Sequence, residues 1–109
     1  MDKNYLDKYR LSIYNCIYSN SLEAFEGEIR WNPLKSMWLK RTRGILFEEI
    51  VHAKFIDISG HPSRDNQLIL ICEYRGYVWV VPFVFDRLGI FLKTLYQSRK
   101  FKKIYLKKE

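Results

Sequence analysis

The chain has 109 residues, a net charge of +7 and an apolar fraction of 48%, and aromatic residues make up 17%. This composition predicts one domain with a modest core and excludes an intrinsically disordered chain. No apolar run approaches the ~20 residues that span a membrane, and no secretory signal is evident, so we expect a cytoplasmic protein without a membrane partner. Cys16 and Cys72 have no metal-ligand spacing, so we expect neither a metal site nor a cofactor.

The positive charge is concentrated towards the end of the chain. Residues 93–109 hold seven of the 19 basic side chains and a single acid, Glu109, whereas residues 1–92 are almost neutral. Such an asymmetry indicates a polyanionic or acidic partner for this basic segment. A solubilising tail is the alternative interpretation.

The first part of the chain is predicted to contain a helix and a strand. Within residues 1–24, apolar side chains recur at three- and four-residue steps, which is typical of an amphipathic helix. We assign residues 1–24 to an N-terminal extension, which docks on the domain, extends beyond it or is mobile, and residues 25–109 to the main domain. From Phe25 to Trp31, apolar and charged residues alternate, which predicts a strand with one face in water.

Two helices are predicted to follow this strand. Asn32 is a suitable N-cap, Pro33 suits the first helical position, and Gly44 can end the helix in the left-handed region. A second, short helix is predicted over residues 46–54. The large aromatic side chains are assigned to the core: Trp31, Trp38, Phe47, Trp79 and Phe83.

Four strands are then predicted, at residues 55–59, 68–74, 77–85 and 90–96. The turns at Arg75–Gly76 and at residues 86–89 are typical of hairpins, so the last three strands should be antiparallel neighbours. Residues 78–81 are apolar almost continuously, which predicts a central strand covered on both faces.

The final lysines are interrupted by Phe101, Ile104 and Tyr105 at helical spacing, which predicts a short basic C-terminal helix with these three side chains packed on the domain. The element order predicts an α+β fold. An N-terminal strand and two helices pack on a curved antiparallel β-sheet, with the helices on one face.

Several short motifs occur in a recognisable order. Trp31–Asn32–Pro33 is followed by Lys35, and Arg43–Gly44–Ile45 by Phe47–Glu48–Glu49, and Ser98–Arg99–Lys100 comes after the last predicted strand. In order and spacing these motifs resemble the BrnT family of bacterial toxins over roughly residues 25–107. Leu46 departs from the family pattern, which often has Ser or Thr capping the second helix.

The resemblance implies a RelE-like fold and a cytoplasmic endoribonuclease toxin of a type II toxin–antitoxin system, which cleaves RNA without a metal and arrests growth. It also implies a cognate antitoxin, usually with a ribbon-helix-helix domain, that neutralises the toxin. Operator DNA would then be bound only through the antitoxin.

RNA cleavage without a metal needs cations that stabilise charge on the phosphate and groups that transfer protons. Arg99 is the first candidate, because its planar guanidinium can bind a phosphate through two hydrogen bonds. Lys100 and Lys93 are further catalytic candidates as cations, and Tyr96 and His61 as proton-transfer groups. Each also has a structural interpretation, as a solvated charge, a packing residue or an incidental loop histidine.

The predicted RNA contacts are Arg43, Arg64, Arg75, Lys102 and Lys103. Two other functions fit the same sequence. One is a non-catalytic module of the same fold that binds nucleic acid or an antitoxin, and the other is a toxin that acts on a protein target such as gyrase.

Overall fold

A computed structural model of the chain describes residues 4–106, with side chains from residue 9 onward. The described helices are α1 (Asn4–Ser19), α2 (Pro33–Arg43), α3 (Phe47–Ile50) and α4 (Arg99–Tyr105). The described strands are β1 (Glu28–Arg30), β2 (Lys54–Gly60), β3 (Leu68–Tyr74), β4 (Tyr77–Asp86), β5 (Gly89–Leu92) and β6 (Tyr96–Gln97). None of the helices described is long and apolar enough to cross a bilayer. Lys107 and Lys108 of the predicted basic helix lie outside the described residues.

The strands form one mixed sheet. Its order is β1-β5-β4-β3-β2, and β6 pairs with β4. The pairs β3–β4 and β4–β5 are antiparallel, as the hairpin turns predict, and so is β2–β3, whereas β1 is parallel to β5. The α+β class is confirmed, and the prediction of a purely antiparallel sheet is wrong. The reason is that no hairpin joins β1 to β5, so the long connection between them leaves the parallel direction open.

Strand β4 is buried on both faces, as predicted. A first core lies between the sheet and helices α1, α2 and α3, and it contains Trp79, Val81 and Phe83 of this strand. Val78 and Val80 point to the other face and form a second core that α4 covers. Because β4 is apolar on both faces, each face of the strand must be covered by another element. The prediction that all helices share one face is therefore wrong for α4.

Helix α1 is part of the first core. Tyr9, Ile13 and Cys16, three of the apolar residues whose spacing predicts this helix, are buried there. Ser12 adds a polar contact, since its hydroxyl accepts a hydrogen bond from the backbone N–H of Glu26 at 2.7 Å. Helix α1 and the sheet thus share one core.

Two elements are shorter than predicted. The strand predicted over residues 25–31 covers only Glu28–Arg30, and a 3₁₀ turn at Leu22–Ala24 precedes it. The helix predicted over residues 46–54 ends at Ile50. Asn20 explains this early end: its backbone carbonyl and side-chain amide bond the N–H and carbonyl of Phe55, which holds that residue in an extended strand.

The corner between α2 and α3 is fixed by a buried serine. Ser36 accepts a hydrogen bond from the Phe47 N–H at 2.9 Å and donates one to Glu48 Oε1 at 2.6 Å. It thereby satisfies a donor at the start of α3, where Leu46 provides no side-chain cap. The hydrogen bond from Ser36 is also the main reason that the pKa of Glu48 lies below its ordinary value.

The strand predicted over residues 90–96 is split in two. Leu92 pairs with Phe83 and Tyr96 pairs with Val80, so four steps along this segment match three along β4. One extra residue in one of two paired strands is a β-bulge, and it exchanges the faces to which the following side chains point. Leu95 is consequently buried in the first core, and Tyr96 packs against the second.

Two large side chains predicted to be buried are exposed. Trp38 is 41% exposed, because α2 turns Ser36 and Leu39 towards the core. Ile104 is 53% exposed, because α4 packs through Phe101 and Tyr105. Trp31 is half-buried against the first core, and the remaining predicted core aromatics are buried.

We expect Gly89→Ala to destabilise the sheet. Gly89 has a φ of +150°, and a Cβ there would lie 2.2 Å from the Glu28 carbonyl oxygen in the paired strand. Strain and overlap should together cost about 2–4 kcal/mol, lowering Tm by roughly 10 °C or more in thermal unfolding. Gly60→Ala is the control, because a Cβ at Gly60 meets no atom within 4 Å. Equal Tm values for the two variants would contradict this account.

We expect Ser36→Ala to lower the free energy of unfolding by about 1–3 kcal/mol at neutral pH, because a buried N–H loses its partner. The lowered pKa of Glu48 contributes stability above its ordinary value of 4.5, and this contribution is lost as the pH falls through the lowered pKa. The difference between the wild type and Ser36→Ala in urea unfolding should therefore shrink at low pH. Ser63→Ala, at an exposed loop position, should change little at any pH. A difference independent of pH would exclude the role of Glu48.

Candidate nucleic-acid interface

The predicted site residues lie at opposite ends of the sheet. β3 has seven residues, so its ends are roughly 20 Å apart at the usual rise per residue. Arg75 is in the turn after β3, whereas His61 and Arg64 are in the loop before it. The structure therefore does not bring His61 and Arg64 together with Arg75.

His61 organises its own loop. Its Nδ1 accepts hydrogen bonds from the backbone N–H groups of Ser63 and Arg64, both at 3.1 Å. Its backbone N–H donates to the Gln67 carbonyl at 3.1 Å. These three hydrogen bonds give His61 a structural role in holding the loop together.

A groove lies between the end of α2, the β3–β4 turn and β6, and we call it the hairpin groove. It consists of two adjoining depressions that share Arg43, Trp79 and Gln97. Arg75 lines one depression and Tyr96 the other. The groove thus unites Arg43, Arg75 and Tyr96, which sequence reasoning singled out separately.

Arg75 stands at the rim of the hairpin groove in an unusual backbone conformation. Its φ is +55° and that of Gly76 is +78°, as in the tight turns that join twisted antiparallel strands. The Arg75 guanidinium carbon lies 5.0 Å from the centroid of the Tyr74 ring. The turn therefore holds a cation over an aromatic ring at the groove.

A second cation–ring pair comes from α4. Lys102 Nζ lies 4.2 Å from the centroid of the Tyr77 ring, which is 46% exposed. Ser98 fixes the start of the helix, since its N–H donates to the Val78 carbonyl at 3.0 Å and its hydroxyl accepts from Phe101 N–H. These two hydrogen bonds hold the first turn of α4, which carries Arg99 and Lys100, beside β4.

Arg99 shares a helix face with Lys102, because residues three apart on a helix are neighbours. Arg99 is exposed, and its side chain makes no hydrogen bond or ion pair with any of residues 9–106. Its guanidinium is therefore available to a ligand on the same side of the helix as Lys102.

Arg43 connects α2 to the bulge in the sheet. Its Nη1 donates to the Leu95 carbonyl at 2.5 Å and lies 3.3 Å from Thr94 Oγ1. Its guanidinium carbon also lies 5.5 Å from the Trp38 ring centroid. The side chain thus holds the segment before β6, while its Nε and Nη2 donors remain for solvent or a ligand.

Trp79 contributes to the hairpin groove in a way that the sequence analysis missed. The residue is only 6% exposed, and its Nε1–H is buried without a hydrogen-bond partner in the described part of the chain. Unpaired buried donors are rare in folded proteins. The apolar residues beside Trp79 in the sequence predict only that it is buried in the core. The pairing of β4 with β6, in which Trp79 lies opposite Gln97, places it at the groove as well.

The other predicted cations lie elsewhere. Lys93 is exposed just beyond β5, 5.6 Å from the Phe91 ring, and not within a continuous strand as predicted. Lys100 lies 5.6 Å from the ring of its neighbour Phe101, and Lys103 is exposed. None of these three lines the hairpin groove.

The chemistry of the groove is cationic and aromatic. Arg43 and Arg75 line it, Lys102 lies on one of its rings, and no described lining residue is a carboxylate or histidine. Of the predicted proton-transfer residues, Tyr96 lines the groove, and its side chain also packs against the second core. No group of side chains in residues 9–106 could hold a metal ion. Burial raises the pKa of Cys16 to about 11, which disfavours a thiolate nucleophile.

Arg43→Met should loosen the edge of the groove. Loss of the bond to the Leu95 carbonyl is expected to cost about 1–2 kcal/mol and to speed amide exchange in β6. Arg41→Met is the matched control, because Arg41 is exposed on the same helix and its side chain makes no hydrogen bond or ion pair among the described residues. The measurement is amide hydrogen exchange by NMR. Equal exchange rates of the β6 amides in the two variants would refute this role of Arg43.

No family model matches the chain, and neither a curated protein nor a solved structure matches it significantly.

Proposed function

We propose that the protein binds single-stranded RNA in the hairpin groove and cleaves it without a metal ion, as an endoribonuclease toxin of a type II toxin–antitoxin system. The observation that supports the proposal best is the pairing of cations with aromatic rings at the groove, Arg75 with the half-buried Tyr74 and Lys102 with the exposed Tyr77. The toxin assignment rests in addition on the resemblance to the BrnT family.

The paired arrangement suits a single strand. Unpaired bases can stack on tyrosine rings, whereas bases within a duplex cannot reach them. When a base stacks on one of these rings and displaces the cation from it, Arg75 or Lys102 can contact the flanking phosphate. One surface can then bind both parts of each nucleotide, without reading its sequence.

Cleavage requires a defined transfer of atoms. The RNA 2′-oxygen forms a bond to the adjacent phosphorus as its proton leaves, and the bond to the 5′-oxygen breaks as that oxygen is protonated. The products are a 2′,3′-cyclic phosphate and a 5′-hydroxyl. Arg43, Arg75 and Arg99 would stabilise the extra negative charge on the phosphorane, and Tyr96 would transfer a proton.

A non-catalytic RNA-binding module is the second candidate. It is favoured by the absence of any histidine or carboxylate among the described lining residues, since these are the commonest general bases. The same cations and rings would serve binding alone. Cleavage products therefore separate the two functions.

The proposed partner is a cognate antitoxin, which would also provide the contact with operator DNA. Helix α2 presents a suitable surface beside the groove. Leu34, Met37 and Trp38 lie on one face at helical spacing and are 74%, 63% and 41% exposed. Exposed apolar stripes of this kind typically mark protein interfaces.

Arg75→Asn should weaken RNA binding without weakening the fold. Asparagine tolerates the positive φ of this turn, so the hairpin should remain while one cation is lost. We expect about a tenfold loss of affinity for a single-stranded oligonucleotide and a shallower salt dependence, by about one unit of slope. Arg64→Asn, in the loop at the other end of β3, should bind like the wild type. Equal losses for both variants would mean that the groove is not the binding surface.

The cleavage step is tested on the same RNA in EDTA. The wild type should produce cyclic-phosphate ends, and Arg99→Ala and Tyr96→Phe should slow this by about tenfold or more. Intact RNA in both EDTA and Mg²⁺, with salt-sensitive binding retained, would leave the binding module as the function. Absence of binding as well would overturn both candidates.

A further inference from the structure

The buried indole of Trp79 has a chemistry that the rim of the hairpin groove lacks. The rim carries full positive charges, on Arg75 and Lys102, whereas Trp79 offers a neutral donor and no acceptor. That donor has no partner among the described residues, and the side chain lines both depressions of the groove. Burial without a partner carries a free-energy penalty that a bound acceptor would remove.

We infer that Trp79 is a base-recognition residue: its Nε1–H donates a hydrogen bond to a carbonyl oxygen of a nucleobase at the floor of the hairpin groove. The inference rests on the proposed RNA binding and adds a contact to the base itself. Uracil, guanine and cytosine carry such carbonyl groups, and adenine does not.

The position of Gln97 supports a base over a phosphate as the acceptor. Gln97 is exposed, pairs with Trp79 across the β4–β6 ladder and lines the same two depressions. Its amide both donates and accepts, which suits the mixed edge of a base. Of the cations at the groove, Arg75 and Lys102 lie on the Tyr74 and Tyr77 rings, and Arg43, which lines the same two depressions, donates through Nη1 to the Leu95 carbonyl.

The test uses Trp79→Phe, which removes the N–H and keeps an aromatic ring in the core. Binding is measured for two oligonucleotides of equal length, one of uridines and one with the same backbone but without bases. We expect the uridine oligonucleotide to lose five- to twentyfold in affinity, and the abasic one to change less than twofold. Equal weakening of both would assign the indole to a phosphate and overturn the inference.

The remaining outcomes separate this inference from the proposed function. If Trp79→Phe binds both oligonucleotides as the wild type does, while Arg75→Asn still weakens binding, the inference fails and RNA binding stands. If the wild type binds neither oligonucleotide, the proposed function fails.

A measurement on the unmodified chain avoids any effect of the substitution on folding. Each of the three tryptophans gives one indole N–H signal in a ¹⁵N–¹H NMR spectrum. The Trp79 signal should move downfield with the uridine oligonucleotide and not with the abasic one. The signal of Trp31, which is not among the residues that line either depression, is the internal reference. An unmoved Trp79 signal at saturating uridine oligonucleotide would overturn the inference.

Discussion

One additional residue between Leu92 and Tyr96 determines how α2 and the sheet meet. Because four steps face three on β4, the backbone leaves the regular ladder, and the Leu95 carbonyl is available to Arg43 at 2.5 Å. Without the bulge, the side chains after Leu92 would alternate differently, and Leu95 would leave the first core. The groove with its arginine and its tryptophan therefore depends on a local irregularity in pairing.

The same irregularity divides the basic segment by position. Tyr96 is turned to the second core, and α4 follows it across that face until Tyr105 donates to Asp57 Oδ2 of β2 at 2.7 Å. Lys102, in the middle of α4, lies over Tyr77 beside the β3–β4 turn. The lysines of the basic segment are therefore not equivalent, although they are close together in the sequence. Their summed charge can attract a polyanion from a distance, but it does not determine which side chains contact it.

Sequence reasoning succeeded where the cause is local. Asn32 and Gly44 bound α2, and Arg75–Gly76 turns β3 into β4, because each signal depends on a few adjacent residues. It failed where distant segments decide. The parallel pairing of β1, the bulge before Tyr96 and the unpaired indole of Trp79 all follow from strand register. Of the predicted site residues, the groove gathers those that lie beside the β3–β4 turn, and no sequence pattern gave that proximity.

The cap that Ser36 supplies to α3 has a consequence for the order of folding. A helix of four residues cannot form by itself, since the entropy lost in nucleating the first turn exceeds the free energy gained from its hydrogen bonds. Its first buried N–H is satisfied only by an oxygen carried on α2, 11 residues earlier in the chain. Helix α3 should therefore appear only after α2 has docked, which makes the two helices one cooperative unit. Position 46, released from capping, is free to hold an apolar side chain.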